Sequence, residues 1–214
     1  MKSGIVAAWQ EVRAIVLILI SAILFALWLQ KRGLALLAAI LLGWVCYFFR
    51  DPERIPDSTG ALDILSPADG RVTAIDQVNE PDFIHGPAWR ISIFLSLFDV
   101  HVQRSPYTGV VRFLHYQPGD FAPAFLKDTH SNEANLIGLE TAHGSLLVKQ
   151  IAGILARRII CWFGPGDALA AGQRLGLIKF GSRVDLFLPP GVEVLAYVGQ
   201  QVYGGQTVVA RWSG

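Results

Sequence analysis

The sequence predicts a mainly β domain, a sandwich or a barrel, behind an N-terminal hydrophobic helical hairpin. Two apolar runs without a charged side chain, residues 14–30 and 34–49, point to the hairpin. From about Leu62 onward, short apolar stretches separated by turn residues point to the β domain. Glycine (21) and proline (11) among 214 residues add a third sign; together they make about 15%, against an average near 12%. Charged residues are 16% of the chain, below the usual ~25%, and the two apolar runs account for the deficit. The formal net charge of +1 provides no global field that would recruit nucleic acid.

Each apolar run, wound as a helix, covers roughly 25 Å, short of the ~30 Å hydrocarbon core of a bilayer. Two arrangements stay open: a pair of short spanning helices, or a hairpin dipping into one leaflet with Trp28, Trp44 and Tyr47 near the interface. Lys31-Arg32-Gly33 forms the turn between the runs. A cleaved signal peptide fits poorly, because a second apolar run follows at once. Lys2 and Arg13 precede the hairpin and Arg50 and Arg54 follow it. This balance predicts a cell-membrane protein with its large domain on the cytoplasmic face. Residues 1–50 thus read as a membrane anchor, residues 51–61, rich in Pro and charge, as a linker, and residues 62–214 as the β domain.

Within that domain the expected strands include 71–76, 90–103, 109–116, 145–153 and 158–163. The end of the chain, 184–212, alternates and carries glycine pairs at turn positions. It resembles the hammerhead-like hairpins of barrel-sandwich hybrids, the architecture of biotinyl and lipoyl carriers. A carrier would need a lysine at a hairpin tip, yet the last lysine is Lys179. Cys46 and Cys161 have neither disulfide nor metal-ligand spacing and read as buried, inert thiols in a reducing compartment.

No G-x-S-x-G elbow, P-loop, G-x-G-x-x-G or H-E-x-x-H motif is present. Three patches remain. Ser66-Pro67-Ala68-Asp69-Gly70 precedes a strand and by itself reads as an ordinary β-turn. Phe98-Asp99-Val100-His101-Val102-Gln103-Arg104 ends a strand, and counting back by twos from His101 meets Asp99, Leu97, Leu95, Ile93 and Ile91. That face is apolar until its polar end, as where a strand opens into a site or simply into solvent. Lys179-Phe180-Gly181-Ser182-Arg183-Val184-Asp185 reads at its plainest as a strand with a glycine bulge.

In order and spacing, these patches resemble the short form of the phosphatidylserine decarboxylase proenzymes. FGSRVDLFLP (180–189) matches most strongly, preceded by GxxLGxI in 172–178. QIAGxxARRIxCW (150–162), SPADGRV (66–72), DVHVxRSPxxG (99–109) and FFRDPERxxP (48–56) add to it, so the resemblance covers nearly the whole chain.

The resemblance implies that the chain cuts its own backbone between Gly181 and Ser182 and converts Ser182 to a pyruvoyl group, with no metal. Ser182 would attack the carbonyl of Gly181, whose missing Cβ permits close approach. A hydroxyl needs a base to accept its proton; the motif positions make His101 that base, oriented and charge-stabilised by Asp69. Longer relatives carry a second histidine where this chain has Arg104, so His101 would serve both processing and turnover. Arg104 is a candidate to bind a phosphate or carboxylate, with a surface ion pair the plainer alternative. Phosphatidylserine would form a Schiff base with the pyruvoyl carbonyl, lose CO2 and leave as phosphatidylethanolamine. Residues 1–181 and 182–214 would stay together as a heterodimer of large and small fragments, with any higher oligomer left open. His85, His115, His130 and His143, and the polar stretch Asn132-Glu133-Ala134-Asn135, acquire no role. Two rival expectations are a membrane-anchored lipoyl-like scaffold without catalysis and a lipid-directed serine hydrolase using Ser182 or Ser145.

Overall fold

A computed structural model describes residues 12–58, 60–120, 132–153, 159–179 and 182–213. Lys2, His130, Phe180 and Gly181, named above, lie outside them, as does residue 158 at the head of an expected strand. The chain divides into two compact units, Met1–Pro52 and Glu53–Gly214.

The first unit contains helices α1 (Arg13–Trp28) and α2 (Arg32–Phe48), which pack against each other. The chain leaves α1 through a Schellman turn. Gln30 takes the left-handed conformation at φ 55°, its N–H bonds to Leu27 O, and the Lys31 N–H bonds to Ala26 O. Apolar side chains project all round both helices, so Leu17, Ile18, Phe25, Trp28, Leu36 and Ile40 are exposed. At 16 and 17 residues, neither helix is long and apolar enough to cross a membrane, and the same holds for every helix among the described residues.

Among its described residues the second unit is all β. Its strands are β1 (Asp63–Leu65), β2 (Gly70–Glu80), β3 (Gly86–Leu95), β4 (Val102–Arg104), β5 (Gly109–Gln117), β6 (Ala134–Glu140) and β7 (Ser145–Ala152). They continue with β8 (Ile159–Cys161), β9 (Ala168–Leu169), β10 (Arg174–Ile178), β11 (Ser182–Leu188), β12 (Val192–Val194), β13 (Gln201–Val202) and β14 (Val208–Trp212). Eight form one antiparallel sheet in the order β13-β2-β3-β11-β7-β6-β5-β9. Two three-stranded sheets, β1-β14-β12 and β4-β10-β8, complete the unit.

Strand alternation decides which face is buried where. Ile91, Ile93, Leu95, Val148, Val184, Leu186 and Leu188 point to one face of the large sheet, where they join Ile64, Leu175, Ile178, Val209 and Trp212 of the small sheets in the main core. The opposite face carries a smaller cluster of Ala88, Leu136, Leu147, Ile151 and Phe187, covered in part by Phe83 and Ile84. The fold is therefore mainly β with two N-terminal helices.

Three details differ from the sequence expectation. The stretch 90–103 is two strands in different sheets, β3 and β4, because the Asp99 carboxylate accepts hydrogen bonds from the Ser96 N–H (2.8 Å) and Ser96 Oγ (2.6 Å) and closes a turn. His101 consequently does not share a strand face with Ile91. The C-terminal strands do not pair as successive hairpins either: β11 lies between β3 and β7, β13 pairs with β2, and β12 with β14. Finally, Cys46 is exposed and Cys161 half-buried; burial raises the Cys161 thiol pKa.

Candidate active site

Ser182 is the first residue of β11, a central strand flanked on both sides. It pairs with Leu95 of β3 and Ala152 of β7. Its side chain lies on the main-core face with Val184 and Leu186 and is fully buried. Its Oγ has no hydrogen-bond partner among the described residues. Gly181, the other half of the expected cleavage pair, lies outside them.

His101 sits between the Ser96–Asp99 turn and β4, and is 1% exposed. Its Nδ1 lies 2.9 Å from the Asp99 carbonyl. A carbonyl only accepts, so Nδ1 carries the proton and the lone pair resides on Nε2. The His101 carbonyl accepts the Ile178 N–H (3.3 Å) and Gln103 Nε2 (2.8 Å). His101 is thereby held by β10, the strand that leads into the Gly181-Ser182 segment. Among the described residues it is the one buried histidine; His85, His115 and His143 are exposed.

Asp69 precedes β2 at the same end of the large sheet. Its Oδ1 accepts the Gly204 N–H (2.8 Å) and its Oδ2 pairs with Arg54 Nη2 (2.5 Å). Both side chains of that pair are nearly buried. Gly70 follows at φ +148°, where an added Cβ would run into the Phe94 carbonyl, so β2 approaches β3 closely only with glycine here. Phe94 is one residue from Leu95, the partner of Ser182. Pro67 O accepts the Arg104 N–H (2.8 Å), which joins the first patch to the second. Registers and loop bonds thus gather all three sequence patches at one end of the eight-stranded sheet.

Arg104 is buried, not superficial. Its Nη1 donates to Gly172 O (3.1 Å), and its Cδ occupies the space that a Cβ on Gly205 would need.

Sequence reasoning missed two supports. The first is a buried amide relay on the Ser182 face: Asn135 Nδ2 donates to Gln150 Oε1 (3.0 Å), Gln150 Nε2 to Gln103 Oε1 (2.9 Å), and Gln103 Nε2 to the His101 carbonyl. It ties β6 and β7 to β4 and to His101, which immediately precedes it. Asn135 therefore belongs to a strand, not to a polar loop. The detectable signal was phase: Gln150 and Asn135 are polar at core-facing positions of otherwise apolar strands. The second support is the segment read as a linker, which is fastened to the β unit from its third residue. Besides Arg54 on Asp69, Glu53 pairs with Arg174 (2.9 Å), which lowers the Glu53 carboxyl pKa, and the Asp57 N–H bonds to Gln206 O (2.9 Å). Asn132 adds a bond from Nδ2 to the carbonyl of Ala152, the residue paired with Ser182.

The family model described as phosphatidylserine decarboxylase matches residues 41–210. Among curated relatives, the phosphatidylserine decarboxylase proenzyme of Carboxydothermus hydrogenoformans is 49% identical over 184 residues, 85% of each chain. That of Symbiobacterium thermophilum is 46% identical over 217 residues, covering 99% of this chain and 97% of its own. That of Gluconacetobacter diazotrophicus is 47% identical over 189 residues, 86% of this chain and 84% of its own. Sequence identity at this level along whole chains, with the motif residues gathered at one sheet end, sets aside the non-catalytic scaffold. This chain belongs to the phosphatidylserine decarboxylase family and is a decarboxylase.

Proposed function

We propose that this enzyme converts phosphatidylserine to phosphatidylethanolamine and CO2, using a pyruvoyl group made from Ser182 after it cuts its own backbone between Gly181 and Ser182. The observation that carries the proposal is the Ser182 hydroxyl, fully buried at the head of a central strand with no partner among the described residues. A serine kept for packing alone would be satisfied, because an unpaired buried polar group costs about 1–3 kcal/mol. The residue type fits the group as well: the hydroxyl is the atom that an acyl shift requires.

In the cutting reaction Ser182 Oγ attacks the carbonyl carbon of residue 181, and His101 Nε2 accepts the hydroxyl proton. The peptide C–N bond breaks as the ester forms. Loss of the Cα proton of residue 182 then breaks its Cβ–Oγ bond and releases residue 181 as a carboxylate, and one water replaces the nitrogen, which leaves as ammonia. The Asp99 carbonyl orients the His101 ring through Nδ1, and Asp69, whose carboxylate Arg54 and the Gly204 N–H hold, keeps the role its motif position implies of favouring the protonated imidazole. Once formed, the pyruvoyl group supplies an electron sink for the bonding pair left by departing CO2. His101 returns a proton to the substrate carbon, and Arg104 offers a guanidinium to the headgroup's phosphate or carboxylate. No metal enters this scheme.

Fragments 1–181 and 182–214 remain one heterodimer, because the smaller one contributes β11 and β13 to the large sheet and β12 and β14 to a small one. The finer fold class that accompanies this reading is a barrel-sandwich hybrid. Helices α1 and α2, with apolar side chains exposed all round, hold the enzyme on the cell membrane, with the β unit on the cytoplasmic face.

Intact-mass spectrometry of the purified chain tests the proposal. The expected result is two fragments divided after residue 181, the smaller one lighter than its seryl form by the mass of one ammonia. A fully active preparation that retains an unmodified serine at 182 would overturn it.

A further inference from the structure

We propose that the β unit carries its own bilayer-docking rim, formed by Ile55, Phe98, Tyr197, Val198 and Tyr203 and separate from the two helices. This inference rests on the proposed lipid substrate. The five residues are 82%, 69%, 65%, 59% and 42% exposed, so all but Tyr203 keep more than half of their surface in water. Single exposed apolar residues are ordinary on a protein surface, but a contiguous group marks a contact surface.

Hydrogen bonds bring together the segments that carry these five side chains. Arg54, next to Ile55, and the N–H of Gly204, next to Tyr203, hold the same Asp69 carboxylate. The Arg54 guanidinium also lies over the Tyr203 ring, 5.3 Å from its centroid. Asp99, next to Phe98, accepts from Gln201 Nε2 (3.3 Å). Val72 exchanges backbone bonds with Gly199 and Gln200, the two residues after Tyr197 and Val198. The rim therefore sits on three segments bound together around Asp69 and Gly70, at the sheet end that holds Ser182.

The chemistry favours a lipid surface as the occupant. Tyrosine presents an apolar ring and a polar tip, the combination that settles at headgroup depth. Arg71 is exposed in the same group, with Nη1 3.4 Å from Gly199 O, and offers a cation to anionic headgroups. A phospholipid keeps its acyl chains in the bilayer, so its headgroup reaches a buried serine most directly if this end of the sheet meets the bilayer surface.

The test uses the full chain with Cys46→Ser and Cys161→Ser and an environment-sensitive dye on Val198→Cys. A matching dye on His115→Cys, exposed on β5 near the other edge of the large sheet, is the control. With vesicles of phosphatidylserine and phosphatidylcholine, the 198 dye should shift to the blue and be quenched by bromolipid, and the 115 dye should do neither. A 198 dye that stays water-like on vesicle-bound protein overturns the rim, as does a blue shift already present without vesicles, which would indicate a second copy of the chain. In parallel, Tyr197→Ser with Val198→Ser should lower kcat/KM on vesicles by about tenfold or more and leave soluble dihexanoyl phosphatidylserine within about twofold. Equal losses on both substrates would assign these residues to the substrate path instead. Dye insertion by a chain inactive on both lipids would sink the decarboxylation proposal and leave the rim standing.

Discussion

On one face of β11, Arg183 and Asp185 are buried and fully engaged: Arg183 Nε and Nη2 bond the two Asp185 oxygens at 2.6 and 2.9 Å, and Nη2 also reaches Ser92 Oγ at 2.9 Å. On the other face of the same strand, Ser182 is just as buried and its hydroxyl bonds nothing among the described residues. Ser92 and Ser182 are both fully buried serines in paired strands, yet only the first has a hydrogen-bond partner among those residues. The contrast separates two uses of a buried polar group. A satisfied group specifies how strands pack, whereas the unpaired Ser182 hydroxyl is the group that the proposed chain cutting would use.

The sharpest way to break this comparison is Ser182→Ala, which should abolish both chain cutting and decarboxylation. A single uncut band with native circular dichroism is the expected reading. Fragments from this variant would end the assignment.

Next in size is Arg183→Ala, which strands Asp185 without its buried partner and should cost about 3–5 kcal/mol in urea unfolding. Arg183→Met with Asp185→Leu should recover most of that loss, because replacing both charges removes the unpaired one. If the double variant is no better than the single, the pair does more than pack.

A third variant, Gln150→Leu, leaves Gln103 Oε1 and Asn135 Nδ2 without their partner. The expected loss is about 1–3 kcal/mol, and loosening of His101 should also slow chain cutting. Unchanged cutting kinetics would make the relay purely structural.

The smallest effect concerns Lys149, which lines a cavity of about 530 Å3 on the Arg183 face with Leu136, Leu147 and Phe187. Burial lowers its amine pKa below the usual lysine value, against the pull of Asp185. The folded state therefore disfavours the charged form. That cost is fully present below the folded pKa and lifts as pH rises through the window between the folded and unfolded pKa values. Lys149→Met should stabilise the protein at pH 7 by less than about 1 kcal/mol, and the gain should shrink as pH nears about 10.4. Thermal melts across that range check the sign.

Strand phase was legible wherever one face is wholly apolar, as in β11, where Val184, Leu186 and Leu188 alternate with Arg183 and Asp185. Ser182 was legible too, through the residues on either side of it. Phase misled at 90–103, because alternation runs unbroken through a turn that only the Asp99 side chain reveals. The hold of Arg54 on Asp69 was invisible, and of the relay from Asn135 to His101 only the out-of-phase polar residues Asn135 and Gln150 showed, since its bonds join residues of separate strands.

By itself, the sequence determined the two apolar helical runs and the β character of the chain beyond them, because these depend on local periodicity, and its motifs showed the family resemblance that singles out Ser182. Only the tertiary structure decided that Ser182 heads a central strand with its hydroxyl buried and without a partner among the described residues, and that His101 hangs from β10. Those properties arise from strand registers between distant segments, and register is a property of packing, not of any single stretch of chain.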